Sequence, residues 1–162
     1  LIGDKKVKII VNDIPVKEAD GIHLGQSDMN PIRARELLGP DAILGITIDT
    51  LQDFPNIMNQ HRHAQFDYIS PLIHESKSKP SPSHHLFRLA GLQELVAKLD
   101  QEARCGVLPP MPAVLAISGV NLGNVRSIIK HGADGVAVIG AIKDAADPLL
   151  STQMLCNAAV SL

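Results

Sequence analysis

The stretch that decides the reading is Gly21-Ile-His-Leu-Gly-Gln26-Ser-Asp28. A short apolar run ends there in a Gly-Gln turn, and an acidic residue leads into a helical pattern. Upstream, Val7-Lys-Ile-Ile-Val11-Asn12-Asp13 finishes in the same way. Two consecutive apolar runs that each end in a carboxylate would bring both acids to one edge of a parallel sheet. Paired acids there suit a divalent cation shared with a phosphorylated ligand. Asp28 taken alone equally suits a plain acid in a helix's first turn, where it complements the dipole.

Working outward, the apolar patterning predicts strands over 7–11, 21–24, 42–48, 66–69, 113–117 and 135–139. Between them fall helical patterns. Asn30-Pro31 reads as an N-cap followed by Pro at N1, opening a helix over 32–38 that Gly39-Pro40 stops. Asp49 or Thr50 caps a helix over 51–60, and 89–99 is amphipathic. Asn121 caps a helix over 122–130, and the last helix spans 148–161. The segment 14–19 is short for a crossover helix. Strand and helix alternate throughout, which predicts an α/β fold with a parallel sheet. A (β/α)8 barrel runs to roughly 250 residues. The sequence therefore describes either an open sheet or a TIM barrel with about six of its eight βα units.

A chain of 162 residues reads as a single domain over 1–162, long enough to bury a core. The net charge of −2 and the absence of Trp offer neither a basic patch nor a stacking platform, which excludes nucleic acid as a partner. No apolar run is long enough for a membrane span. Cys105 and Cys156 match no metal or redox spacing and read as free thiols of a cytoplasmic protein. Assembly into a homo-oligomer is left open.

Beyond the two acids, three features carry chemistry. The polar loop over 74–85 contains Ser76-Lys-Ser-Lys79, hydroxyls and amines that could close over a phosphate or simply be solvated. Ile117-Ser-Gly119 and Ile139-Gly140 each end a strand in a small residue, which lets a phosphate approach backbone N–H groups. His23 lies inside an apolar run and is either a satisfied core histidine or a group facing the site. His61 and His63 read as surface residues near a helix end. No Ser-His-Asp order and no Walker or dinucleotide glycine pattern occurs.

These residues resemble a known family. Ala19-Asp-Gly-Ile-His-Leu-Gly-Gln-Ser-Asp28, Glu36-Leu-Leu-Gly-Pro-Asp-Ala-Ile-Leu-Gly45 and Gly132-Ala-Asp-Gly-Val-Ala-Val-Ile-Gly-Ala-Ile142 are similar, in order, to thiamine phosphate synthase motifs. The resemblance implies a (β/α)8 barrel that joins hydroxymethylpyrimidine diphosphate to a thiazole phosphate, releasing pyrophosphate with Mg²⁺ help. It implies that Asp13 and Asp28 hold Mg²⁺. Asn12 and Thr47 would contact the diphosphate, and Lys79 would grip it. Ser76 and Ser78 would meet the thiazole phosphate, with Gly119, Ile139 and Gly140 as its backbone cradle, and Lys77 would bind substrate beside them.

Departures accompany the match. The family's first two βα units, with a Gln-x-Arg-x-Lys run, have no counterpart here, which implies that the full polypeptide has residues before Leu1, with further ones after Asp13 left open. Ile14 replaces the Arg of Asn-Asp-Arg, Ser118 the first Gly of a Gly-Gly pair, and Gly140 a Ser. Two alternatives stay open: a thiazole tautomerase-like relative, which uses a His where Asp49 stands, and a non-catalytic barrel that binds a phosphorylated ligand.

Overall fold

The computed structural model describes residues 7–74, 86–106 and 109–160. Six strands form one sheet: β1 (Ile10–Asn12), β2 (Gly21–Leu24), β3 (Ile43–Ile48), β4 (Tyr68–Pro71), β5 (Ala113–Ala116) and β6 (Gly135–Val136). They lie in sequence order and every neighbouring pair is parallel. The result is a curled half-barrel of α/β type. The helices are α1 (Pro31–Leu38), α2 (Phe54–Ala64), α3 (Arg88–Cys105), α4 (Val125–Lys130), α5 (Gly140–Lys143) and α6 (Pro148–Val160).

Register separates two faces of the sheet. Ile22 pairs with Leu44, Leu24 with Ile46, Ile46 with Ile69, and Ile69 with Val114. All of these are buried and share one core with Leu92 and Leu95 of α3, Ile57 of α2 and Ile128 of α4. Burying each such aliphatic side chain contributes roughly 1.5–3 kcal/mol, so this helix-covered layer carries the stability. The other face presents the row Asn12, His23, Gly45, Tyr68 and Ala113, each the register partner of the next. Above it Thr47 pairs with Ser70. On this face His23, Thr47 and Tyr68 are half-buried and Ser70 is buried.

The amino edge of the sheet is fastened by a repeated device. Asp20, Asp67 and Asp134 stand immediately before β2, β4 and β6, and each carboxylate accepts a backbone N–H from the preceding strand's edge. The donors are Ile9 at 2.9 Å, Leu44 at 2.8 Å and Val114 at 2.8 Å. Arg35 closes the same edge, donating to the carbonyls of Ala64, Gly39, Pro40, Ala42 and Gln65.

Several boundaries differ from the patterning. β4 starts at Tyr68, because Asp67 is committed to the edge device and Phe66 turns into the core beside His61. The helix expected from Leu122 begins at Val125, with Asn124 at its N-cap. β6 is shorter than 135–139, and α5 was not anticipated. His61 is not at the surface. It is 0 % exposed, with Nδ1 accepting the Phe66 N–H at 2.9 Å and Nε2 3.1 Å from the Pro110 carbonyl.

Candidate active site

Because the strands are parallel and in order, their carboxyl ends share one edge, and the candidate residues gather there. Asn12 ends β1 and Asp13 follows it with φ 66, a left-handed turn that Asp tolerates better than most side chains. The Asn12 amide donates to the Asp13 carboxylate, while the Asp13 N–H donates to the His23 carbonyl at 3.0 Å, fixing this corner to β2. At the end of β2, Asp28 folds back and its Oδ2 accepts the Gly25 N–H at 2.5 Å. Gln26 reaches across to donate to the Thr47 carbonyl. The opening stretch is thus a built turn that links β2 to β3.

Asp28 therefore has a structural task, since it caps its own turn. It also borders a recess of about 190 Å³ lined by Gly25, Gln26, Asn30, Ile46 and Gln60, whose Oε1 is buried with no hydrogen bond among the described residues. In each of Asp13 and Asp28 the second carboxylate oxygen has no hydrogen bond among the described residues. No group of three or more His, Cys, Asp or Glu able to hold a metal occurs among the described residues. Mg²⁺ is commonly held by one or two carboxylates, with substrate phosphate and water completing its shell. Each carboxylate is a donor of the kind that such a shell uses.

His23 lies on the sheet face opposite the buried Ile22 and Leu24. It is half-buried there, with Nε2 2.8 Å from Thr47 Oγ1 and Nδ1 3.2 Å from the Tyr68 hydroxyl. Its ring stacks on that of Tyr68 with centroids 5.6 Å apart. Burial, with a smaller contribution from the Asp67 charge, pushes the Tyr68 phenol up to about 12. Sequence reasoning missed Tyr68; its contacts with His23 and Gly45 span distances along the chain that local patterning does not see. Asp49, just past β3, is pushed above the usual carboxylate range by burial and then by Asp53.

On the far side, Ser118 and Gly119 follow β5 with φ 68 and 65. The Ser118 hydroxyl donates to the His74 carbonyl at 2.6 Å, so the side chain that replaces a glycine has a tethering role. Asn121 and Asn124 both donate to the Gly119 carbonyl at 3.0 Å, which holds its peptide in one orientation. Beyond β6, Ile139 is the exposed N-cap of α5 and Gly140 its first residue. The N–H groups of Gly119 and Gly140 donate to nothing among the described residues. β5 and β6 are adjacent, so both free donors lie along one part of the edge. Ser76, Lys77, Ser78 and Lys79 lie outside the described residues.

Comparison with known proteins matches this arrangement to one family. The family model TMP-TENI, thiamine monophosphate synthase, matches residues 1–142. The chain is similar to the thiamine-phosphate synthase of Leptospira biflexa, 35% identical over 158 residues, covering 94% of this chain and 69% of that protein. It is 36% identical over 160 residues to the thiamine-phosphate synthase of Roseiflexus sp., covering 96% of this chain and 61% of that protein. Among solved structures, thiamine phosphate pyrophosphorylase from Pyrococcus furiosus superposes with a TM-score of 0.69 at 27% identity, over 93% of this chain and 66% of that one. The chain thus spans about two thirds of its relatives' length, and no helix among the described residues is long and apolar enough to cross a membrane. A match that runs through both halves of the carboxyl edge, in sequence and in backbone, means that this chain belongs to the thiamine monophosphate synthase family.

Proposed function

We propose that the protein is a thiamine phosphate synthase. The C–O bond between the exocyclic methylene and the diphosphate of hydroxymethylpyrimidine diphosphate breaks, pyrophosphate leaves a pyrimidine cation-like species, and the ring nitrogen of a thiazole phosphate then forms the C–N bond. The observation that carries this reading is the division of the carboxyl edge. Carboxylates and hydrogen-bonding side chains sit on β1–β3, and backbone N–H groups that donate to nothing among the described residues at β5–β6. The first suits a metal-bound diphosphate and the second a phosphate monoester.

In this reading Asp13 and Asp28 hold Mg²⁺, which would offset the charge of the departing diphosphate. Asn12 and Thr47 hydrogen-bond that diphosphate, and Lys79 adds a cation from the loop. Gly119, Ile139 and Gly140 seat the thiazole phosphate on their backbone, Ser76 and Ser78 contact it, and Lys77 binds substrate beside them. Asp49 stands where the tautomerase branch has a His, which weighs against that alternative.

We also read the sheet as part of a (β/α)8 barrel in a single domain. Ile43, Tyr68 and Leu115 are half-exposed on the face opposite Leu44, Ile69 and Val114, as barrel-interior side chains are when further strands complete the ring. Exposed free thiols at Cys105 and Cys156 suit a cytoplasmic setting.

The test is pyrophosphate release by the full-length protein given both substrates and Mg²⁺. Turnover dependent on both supports the reading. Thiazole phosphate binding without turnover would leave a binding module in its place.

A further inference from the structure

We propose that Tyr68 is a positioning residue which, through His23, turns the Thr47 hydroxyl into a hydrogen-bond donor for the diphosphate; this rests on the synthase reading above. The contacts are continuous, from the Tyr68 hydroxyl to His23 Nδ1 at 3.2 Å and from His23 Nε2 to Thr47 Oγ1 at 2.8 Å. Two tautomers of His23 fit these distances. In the one proposed, the Tyr68 O–H, which has no other hydrogen-bond partner among the described residues, donates to Nδ1. A neutral imidazole accepting at Nδ1 carries its proton on Nε2. That N–H donates to Thr47 Oγ1, and the Thr47 proton is left to donate outward, to an anionic oxygen. The opposite tautomer would draw the Thr47 proton inward and present lone pairs to the diphosphate, the wrong polarity for an anion.

Two further observations support the assignment. Burial keeps the phenol protonated, with its pKa pushed up to about 12. The ring is also held in place, stacked on His23 at an interplanar angle of 11° and lying over Gly45, where a side chain would collide with it.

Tyr68→Phe in the full-length protein keeps the ring and removes only the donor. The KM for the pyrimidine diphosphate should rise about three- to tenfold, the span of one net hydrogen bond, with the KM for the thiazole phosphate unchanged. Thr47→Val should show at least the same rise, and the Tyr68→Phe/Thr47→Val double variant should be no worse than Thr47→Val alone, because both act on one hydroxyl. ¹⁵N spectra recorded above the histidine titration range should find the His23 proton on Nε2 in the wild type and shared between both nitrogens in Tyr68→Phe. An unchanged KM in Tyr68→Phe, independent effects of the two substitutions, or a wild-type proton on Nδ1 each overturn the proposal. A wild type that releases no pyrophosphate sinks the synthase reading instead, and the ¹⁵N spectra still decide whether the relay exists.

Discussion

The ring of Tyr68 lies so close over Gly45, its register partner, that a Cβ at position 45 would sit 2.0 Å from Tyr68 Cζ. Glycine is required there for room. Gly45→Ala must displace the ring, and with it the stacking and hydrogen bond to His23. Overpacking of this kind costs typically about 1–3 kcal/mol. Urea unfolding measures it, and a variant as stable as the wild type would show that the ring moves without loss.

The parts of this fold that sequence could reveal are those written in local pattern. Ile43-Leu-Gly-Ile and Ala113-Val-Leu-Ala are apolar on both faces, so they read as parallel strands and are so, with Leu44, Ile46, Val114 and Ala116 buried and Ile43 and Leu115 half-buried. Asn30-Pro31 read as a helix start, and Asn30 does accept the Ile32 N–H at 2.9 Å. What pattern could not show depends on distant partners. His61 looks like a surface residue until Pro110, far along the chain, supplies an acceptor for one nitrogen. Asn121 and Asn124 are equivalent as caps by composition, and both are used on the Gly119 carbonyl. Asp13 and Asp28 were legible as edge acids. That Asp28 also caps its own turn was not, because the turn closes only when Gly25 comes back to it.

Arg35 tests the amino edge. Its guanidinium donates to five backbone carbonyls drawn from the ends of α1 and α2 and the approach to β3, and it lies 3.5 Å from Asp67. Lysine keeps the charge but has one nitrogen and no planar fork, so Arg35→Lys leaves carbonyls unsatisfied. A loss of more than about 2 kcal/mol is expected, since several charge-assisted bonds go together. Active sites of parallel barrels lie at the opposite, carboxyl face, so KM values of the folded variant should not change. A changed KM with unchanged stability would place Arg35 in the wrong role.

His61 should make stability depend on pH. Its burial, the largest influence, lowers its pKa below the ordinary 6.5, against the opposing pull of the Pro110 and Pro109 carbonyls and the Asp67 charge. A lowered pKa means that just below pH 6.5 the unfolded chain takes up a proton that the folded chain refuses. Stability is then constant with respect to this group above that value and falls as pH drops from it toward the folded pKa. His61→Gln removes the titration, so its urea midpoint should change less across this window than the wild type's, although the variant starts about 1–3 kcal/mol less stable. Parallel curves for the two proteins would assign the pH dependence elsewhere.

Asp28→Asn separates the two tasks of that carboxylate. The asparagine oxygen can still accept the Gly25 N–H, so the turn is retained while the charge is lost. If the charge helps to hold Mg²⁺ against the diphosphate, turnover should fall by about a hundredfold or more, the scale on which single electrostatic groups act on a transition state. Thiazole phosphate binding, which the synthase reading assigns to the β5–β6 side of the edge, should then be unchanged. Asp28→Ala removes the acceptor as well and should add a stability loss of about 1 kcal/mol, the usual size for a lost cap. Equal losses of turnover and thiazole phosphate binding in Asp28→Asn would instead mean that the residue shapes the edge as a whole, and the metal would have to be sought without it.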